Sequence, residues 1–251
     1  MISDDELALA LATESGQLLL DLRETMGFED PAALRDAGDS RSHELLMRRF
    51  AAERPDDAVL SEEGADDPVR LTADRVWIVD PLDGTREYGE PGRSDWAVHV
   101  ALWVRGPGLT VGAVALPAAG DPLATLLVPG EQPSRAPYQG QPRIVVSRTR
   151  APDWVSAVAG RIGAVTVPMG SAGAKIAAVI RGDAEAYLHS GGQYEWDSAA
   201  PVAVALAAGL WCSRLDGTPL AYNEVNPYLP DLVVCRADLA PTVLAAVAEL
   251  A

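Results

Sequence analysis

Apolar and polar positions repeat with two different spacings along the chain. In the first 26 residues apolar side chains recur at helical spacing, behind a serine and a glutamate (Ser3 and Glu6) placed as in a capping box. Short apolar runs follow, and several of them end at a polar cluster, as buried strands do. Beyond residue 142, strand-like and helix-like segments alternate. The pattern predicts stacked layers of helix and sheet, with a large mixed or antiparallel sheet in the first half.

The same pattern assigns the individual segments. Helices are predicted over 3–26, 42–53, 151–162, 171–182 and 197–209, with a further helix at the C-terminus. Strands are predicted over 57–64, 75–80, 95–104, 109–117, 122–129, 143–147, 164–168, 184–189 and 231–235. The proline-rich stretch 130–142 shifts in composition and is interpreted as a link, which predicts an N-terminal region over 1–135 and a C-terminal region over 136–251.

Composition and charge narrow the class of protein. The 251 residues are 48% apolar, which is typical of a globular fold and argues against disorder. A net charge of −16 disfavours a nucleic-acid partner, because such partners need clustered lysine and arginine. Two cysteines are too few for a disulfide framework. No apolar run approaches ~18 residues and the N-terminus lacks a basic leader, so we expect no membrane partner and a cytoplasmic location.

The hexapeptide DPLDGT (80–85) follows an apolar strand and contains two aspartates three residues apart. Pro81 fixes its own φ and biases Asp80 toward an extended conformation, so the turn can direct Asp80 and Asp83 toward one point. Gly84 permits close backbone approach, and the N–H groups of Gly84 and Thr85 suit phosphate. Carboxylate oxygens on a rigid turn suit Mg²⁺. The alternative is an Asx-type turn that caps a helix.

Two further acidic segments bear on the choice between a metal site and an Asx-type turn. Glu62 and Glu63 follow another predicted strand, although such pairs more often lie in a solvated acidic loop. Asp197 stands at the start of a predicted helix, where an ordinary N-cap is the simpler interpretation. Together, the acidic pair, DPLDGT and WDSAA (196–200) resemble, in this order, the lithium-sensitive, magnesium-dependent phosphatase superfamily that includes inositol monophosphatase and fructose-1,6-bisphosphatase.

Details of the motifs are similar to one group of that superfamily, the CysQ-type 3′-phosphoadenosine 5′-phosphate phosphatases. DPLDGTREY (80–88) resembles that group's D-P-L-D-G-T-K-E-F more than the D-P-I-D-G-T-T-N-F of inositol monophosphatases. YEWD (194–197), VVSRTR (145–150) and GSAGAKIAAVIRGDAEAY (170–187) are also similar to it, the last with one extra residue. The likeness weakens around Asp39, because the Ser-Pro-Val-Thr that precedes this aspartate in the family is absent.

The resemblance implies a layered α/β fold, the sugar-phosphatase fold with alternating αβαβα layers, and a set of roles. Two or three Mg²⁺ ions would be held by Glu62, Asp80, Asp83, Asp197 and the Leu82 carbonyl. Glu62 and Thr85 would position the attacking water, with Asp39 bonded to the Thr85 hydroxyl as a third catalytic residue. The N–H groups of Gly84 and Thr85 would hold phosphate oxygens. The implied substrate-binding residues are Gly84, Thr85, Ser147, Arg148, Gly170, Ser171, Lys175 and Glu195.

Arg148 carries the most specific expectation about the substrate. It follows a predicted strand, and its guanidinium could bind a second phosphate bidentately. A surface arginine without a ligand is the alternative interpretation. The three histidines, His43, His99 and His189, have no partner that the sequence suggests, and we interpret them as structural.

The expected function is that of a 3′(2′),5′-bisphosphate nucleotidase, a phosphomonoesterase that removes the 3′-phosphate of 3′-phosphoadenosine 5′-phosphate and is linked to sulfate assimilation. An inositol monophosphatase or a fructose-1,6-bisphosphatase with the same metal ligands is an alternative. A metal- or nucleotide-binding protein without catalysis is another, and the presence of all four motif residues Asp80, Asp83, Thr85 and Asp197 argues against it. A homodimer is possible by the same resemblance.

Overall fold

Helices and sheets stack in five layers in the computed structural model, which describes residues 2–124, 137–149 and 151–250. The helices are α1 (Asp4–Met26), α2 (Pro31–Glu53), α3 (Thr85–Tyr88), α4 (Asp153–Ile162), α5 (Ala172–Arg181), α6 (Glu195–Ala207) and α7 (Ala240–Leu250). The strands are β1 (Ala58–Ser61), β2 (Arg75–Asp83), β3 (Ala97–Val104), β4 (Gly108–Leu116), β5 (Asp121–Ala124), β6 (Arg143–Ser147), β7 (Val165–Met169), β8 (Ala186–Tyr194), β9 (Leu210–Ser213) and β10 (Tyr228–Arg236).

The first sheet has the strand order β1-β2-β3-β4-β5. β1 and β2 run parallel, and the remaining neighbours pair antiparallel, so the sheet is mixed, as the sequence pattern predicts. The register of β2 against β3 shifts between Asp80 and Asp83. A bulge of this kind re-aims side chains at the end of a strand, and here it falls within the DPLDGT motif.

The second sheet has the order β7-β6-β8-β10-β9. β6 pairs parallel with β7 and β8, whereas β10 pairs antiparallel with β8 and β9. Parallel neighbours need crossover connections, and α4 and α5 lie in the connections from β6 to β7 and from β7 to β8. The alternation of strand and helix predicted beyond residue 142 is therefore confirmed.

The layers follow the order helix, sheet, helix, sheet, helix. α1 and α2 cover the outer face of the first sheet, α5 and α6 lie between the sheets, and α4 and α7 cover the outer face of the second. The helices between the sheets are rich in small residues, so they approach both sheets closely. A Cβ on Gly112 of β4 would lie 2.7 Å from the Ala200 carbonyl oxygen of α6, so this contact requires glycine. The expected αβαβα layering is confirmed.

Several predicted boundaries differ from the structure. The capping box at Ser3 and Glu6 is present. α2 begins at Pro31 rather than at residue 42, because Asp30 caps it by accepting from the Ala33 N–H and proline is favourable in a first helical turn. β9 was missed, and the part of the predicted strand 122–129 beyond residue 124 lies outside the described residues, as does the predicted boundary at residue 135.

Asp197 is not the N-cap residue of α6, contrary to the simpler interpretation of its position, although its side chain takes part in capping from the third helical position. α6 begins at Glu195 with Tyr194 as its N-cap residue. Asp197 occupies the third helical position, and its Oδ2 accepts a hydrogen bond from the Tyr194 N–H at 2.7 Å. In the described ranges, no helix combines the length and the apolar character needed to cross a membrane.

Candidate active site

A cavity of about 250 Å³ opens beside the DPLDGT motif, between the two sheets. Its lining brings together segments that are far apart in the sequence: the end of β2 with α3, the end of β6, the start of α5 and the end of β8. Nearly all of the residues predicted to carry function line it. They are Glu62, Asp80, Leu82, Asp83, Gly84, Thr85, Ser147, Arg148, Gly170, Ser171, Lys175 and Asp197.

Four carboxylates form what we call the acidic floor: Glu62, Asp80, Asp83 and Asp197. Carboxylate oxygens of the three aspartates all lie within 4.8 Å of one another, and Asp80 and Asp83 are buried. Glu62 approaches the group from the turn that follows β1 and interacts with Asp80. Such a set of close oxygen ligands can hold a divalent cation.

Asp83 is held by donors that all converge on one of its oxygens. Asp83 Oδ2 accepts from the Ser171 hydroxyl at 2.5 Å and from the Gly173 N–H at 2.6 Å. His99 Nε2 also lies 3.2 Å from this oxygen, although its alignment falls short of a regular hydrogen bond. These contacts fix the orientation of the carboxylate and leave Oδ1 for a metal ion, which is how neighbouring groups commonly orient a metal ligand.

Burial and crowding shift the pKa values within the acidic floor. Burial, with the charges of its acidic neighbours, raises the pKa of Glu62 and that of Asp197 to about 7, and raises the pKa of Asp80 well above its ordinary value. Burial also opposes ionisation of Asp83, but the contacts and charge of His99, with Lys175 and Ser171, outweigh it and lower the pKa of Asp83 to about 2. Like charges this close favour a bound cation over four free carboxylates.

Helix α2 supports the motif from the outer face of the first sheet. The Ser42 hydroxyl donates to the Pro81 carbonyl at 2.6 Å and also contacts Ser15 of α1 at 2.5 Å. Thr85 Oγ1 lies 3.0 Å from the Leu82 carbonyl and 3.4 Å from Asp39 Oδ1. Burial, together with the charge of Glu63, raises the pKa of Asp39 to about 7.

Gly84 lets the motif approach the rest of the cavity closely. Its φ is 85°, which favours glycine, and a Cβ there would lie 3.1 to 3.3 Å from Ser171, Asp95 and Trp96. Gly170, across the cavity, is equally restricted, because a Cβ would meet the Glu87 side chain at 2.4 Å. Neither position tolerates a side chain without displacement of its neighbours.

A second group of cavity-lining residues, which we call the substrate wall, consists of Ser147, Arg148, Gly170, Ser171 and Lys175. Lys175 is buried, donates to the Gly170 carbonyl at 3.3 Å and lies 5.2 Å from the centre of the Tyr187 ring. Burial lowers the pKa of Lys175, against the attraction of Asp83 and other acids.

The chain matches the model of the inositol monophosphatase family over residues 6–250. It belongs to the inositol monophosphatase family. It is 52% identical to the 3′-phosphoadenosine 5′-phosphate phosphatase of Mycobacterium leprae over 99% of this chain and 95% of that protein. It is 32% identical to the 3′(2′),5′-bisphosphate nucleotidase CysQ of Escherichia coli K12, over 77% of this chain and 81% of the other.

Solved structures of the inositol monophosphatase family share the fold. Inositol monophosphatase II of Staphylococcus aureus aligns with a TM-score of 0.79 at 22% identity, covering 94% of this chain and 92% of the other. CysQ from Bacteroides thetaiotaomicron aligns with a TM-score of 0.76 at 25% identity, covering 94% and 97%. The family and the fold expected from the motifs are thus confirmed.

Two predicted substrate contacts of this family member have a different environment from the one expected. Arg148 lines the cavity, but its Nε and Nη2 donate to Glu87 Oε1 at 3.0 and 2.7 Å, and Nη2 also donates to Glu90 Oε1 at 2.9 Å. Glu195 does not line the cavity: it is buried, and its two oxygens accept from the N–H groups of Asn223 and Glu224. Glu195 therefore stabilises a neighbouring loop, which corrects the sequence expectation.

Ser171 lines the cavity, yet its hydroxyl serves Asp83 and the Ala174 N–H. Its φ of 50° is unusual for a residue with a side chain. Ser171 thus acts on Asp83 whether or not it also reaches a substrate.

Sequence reasoning missed the contributions of His99, Arg86 and Glu87. His99 is opposite Asp80 in the β2–β3 register, so the assignment of neighbouring strands could have suggested its contact with the motif. His43, by contrast, contacts Ser61 at 3.0 Å, and His189 lines the cavity with Nε2 2.7 Å from the Gly191 carbonyl oxygen. Arg86 and Glu87 lie inside the recognised motif segment, but only the fold shows that both line the cavity.

Proposed function

We propose that this chain is a Mg²⁺-dependent phosphomonoesterase that removes the 3′-phosphate of 3′-phosphoadenosine 5′-phosphate. The observation that carries the proposal is the acidic floor, where oxygens of three aspartates lie within 4.8 Å at the base of a cavity. The near full-length likeness to a protein named for this activity supports the choice of substrate.

The residues of the acidic floor fit a bound Mg²⁺. The ligands are hard oxygens, which Mg²⁺ prefers, and the donors on Asp83 Oδ2 hold that carboxylate in one orientation. Glu62, Asp80, Asp83 and Asp197, with the Leu82 carbonyl, would hold two or three ions. When bound, Mg²⁺ would neutralise phosphate charge and increase the acidity of a bound water.

Residues of the chain itself would position the attacking water. Thr85 Oγ1 is held between the Leu82 carbonyl and Asp39, so its hydroxyl proton is directed toward one of these acceptors. Its oxygen is then free to accept a hydrogen bond from water. Glu62 lines the same cavity, so its carboxylate would accept a hydrogen bond from the same water.

The substrate wall would contact the nucleotide. Gly84 and Gly170 line this cavity with backbone, and Ser147, Arg148 and Lys175 add polar groups. A nucleotide bisphosphate offers a second phosphate and a base for such contacts, which a plain inositol phosphate lacks.

A substrate panel tests the proposed function. Phosphate release should be measured with Mg²⁺ on 3′-phosphoadenosine 5′-phosphate, inositol 1-phosphate and fructose 1,6-bisphosphate. We expect the highest kcat/KM on the nucleotide. A higher value on either sugar phosphate would support the alternative enzymes, and no release from any of them would support a binding protein without catalysis.

We further propose a homodimer and a cytoplasmic location. The described free cysteines, Cys212 and Cys235, fit a reducing compartment. Light scattering during size-exclusion chromatography tests the dimer: a mass of twice the 26.4 kDa chain is expected, and a single-chain mass would contradict it.

A further inference from the structure

A nucleotide 3′,5′-bisphosphate carries a second phosphate at a distance from the one that is cleaved. If the acidic floor takes the cleaved phosphate through metal ions, the second phosphate needs a cation of the protein itself. Among the described residues, three lysine or arginine side chains line the cavity: Arg86, Arg148 and Lys175. Their contacts show how available each cation is to a ligand.

The positive charge of Arg148 is already balanced by two glutamates. Two hydrogen bonds reach Glu87, which is buried, and a third reaches Glu90. One guanidinium faces two carboxylates, so the net charge of this group is negative. A dianionic phosphate that approached Arg148 would meet both glutamates, and like charges at such distances oppose binding.

Lys175 also has partners within the protein. It is buried, its ammonium donates to the Gly170 carbonyl, and its charge acts on Asp83 below. Its contribution is therefore made mainly to the acidic floor.

Arg86 differs from both. It is exposed, it lines the cavity and it directly follows Thr85. Within the described ranges its guanidinium has no ion pair and no hydrogen bond, so its five donors are available. We infer that Arg86, and not Arg148, binds the second phosphate and determines the preference for a nucleotide bisphosphate. This inference rests on the proposed function and adds a specificity-determining residue to it.

The two arginines line one cavity and serve as matched controls for each other. The experiment compares wild type, Arg86→Ala, Arg86→Lys and Arg148→Ala on two substrates, adenosine 3′,5′-bisphosphate and adenosine 3′-phosphate, which lacks the second phosphate. The readout is the ratio of kcat/KM between the two substrates, so a general loss of activity does not affect it. Thermal melting of each variant shows whether it is folded.

Arg86→Ala should lower the ratio by about 10- to 100-fold, mainly through KM, because a charge-assisted contact to the second phosphate is lost. Arg86→Lys should restore part of it. Arg148→Ala should lower activity on both substrates alike and leave the ratio unchanged, since Arg148 holds Glu87 and Glu90 together. The salt dependence of kcat/KM on the bisphosphate should become shallower in Arg86→Ala.

The outcomes separate the inference from the proposed function. If the wild type prefers the bisphosphate and Arg148→Ala, rather than Arg86→Ala, removes the preference, the inference is wrong and the proposed function stands. Equal losses on both substrates in Arg86→Ala would also contradict the inference. A wild type that hydrolyses neither substrate would overturn the proposed function together with the inference.

Discussion

The acidic floor and the substrate wall compensate their charges in opposite ways. In the floor, four carboxylates crowd together, and the nearby Lys175 and His99 side chains act chiefly on Asp83. In the wall, Arg148 has two carboxylate partners of its own. The protein therefore neutralises its own cation at the wall, whereas in the proposed function a bound cation would balance the negative charge of the floor.

This difference separates the two tasks that a phosphatase must perform. Under the proposed function, a floor of crowded carboxylates would recruit metal ions, which would serve any phosphate monoester. A wall whose arginine is already paired leaves discrimination to Arg86 in the same cavity, which is unpaired among the described residues. Changes in the floor should therefore affect all substrates, and changes at Arg86 should affect the choice among them.

The largest effect is expected at the floor. Asp83→Asn preserves the shape of the side chain but removes a charged ligand, so activity should fall by at least about 100-fold, or about 2.7 kcal/mol of barrier lowering, on every substrate. Asp74→Asn is the matched control, because Asp74 is exposed and pairs with Arg105. Near-normal turnover of Asp83→Asn would show that the floor is not the metal site.

The second effect is a pH dependence of Mg²⁺ binding. The pKa values of Glu62 and Asp197 are raised to about 7 in the metal-free protein, chiefly by burial, so protons and Mg²⁺ compete for these carboxylates near neutral pH. Apparent Mg²⁺ affinity should rise by about 10- to 100-fold from about pH 6 to about pH 8 and then level off.

The raised pKa values of Glu62 and Asp197 also predict how the stability of the metal-free protein depends on pH. Because the folded metal-free protein holds these protons more tightly than the unfolded chain, its stability should fall as the pH rises from the ordinary value of about 4.5 through about 7. Thermal melting with chelator and with Mg²⁺ measures both trends. A Mg²⁺-induced shift in Tm that is constant across this range would contradict the assignment.

A smaller effect is expected at the residue that joins floor and wall. Ser171→Ala removes the hydroxyl that donates to Asp83, so Mg²⁺ affinity should fall by about tenfold, with a smaller change in kcat at saturating Mg²⁺. Ser213→Ala is the control, because the Ser213 hydroxyl donates to the Arg214 carbonyl and does not line the cavity. Unchanged Mg²⁺ affinity in Ser171→Ala would limit Ser171 to the substrate wall.

The smallest effect on activity is expected outside both regions. Glu195→Gln should change kcat/KM by less than about twofold, because Glu195 does not line the cavity. It should lower the free energy of unfolding by about 1–3 kcal/mol, since an amide N–H₂ would face a backbone N–H of Asn223 or Glu224. Glu249→Gln, in an exposed ion pair with Arg161, should cost less than about 1 kcal/mol. A large loss of activity in Glu195→Gln would restore it as a substrate contact.

The floor could be predicted from the sequence because its signals are local. Asp80, Asp83 and Thr85 lie in one short motif, and the apolar run before it predicts where the motif begins. Asp197 and Glu62 follow from the family motifs. Periodicity also predicts stacked layers of helix and sheet, and the family resemblance implies their order. The start of α2 is predicted too late, because a segment rich in aspartate and glycine resembles a loop.

The wall could not be predicted in the same way. Whether Arg148 is free depends on Glu87 and Glu90, which lie about 60 positions away and meet it only in the folded chain. Glu195 is buried away from the cavity, which the sequence does not indicate. His99 lies opposite Asp80 only because of the register between β2 and β3. Ion pairs between residues far apart in the sequence leave no local sequence pattern from which they could be predicted.

The most direct test of the acidic floor as a Mg²⁺ site is the addition of Mg²⁺ to metal-stripped protein with adenosine 3′,5′-bisphosphate, followed by phosphorus NMR. We expect no hydrolysis before Mg²⁺ is added, and afterwards loss of the 3′-phosphate with the 5′-phosphate retained. Hydrolysis at full rate in the presence of chelator, or release of the 5′-phosphate instead, would contradict the account.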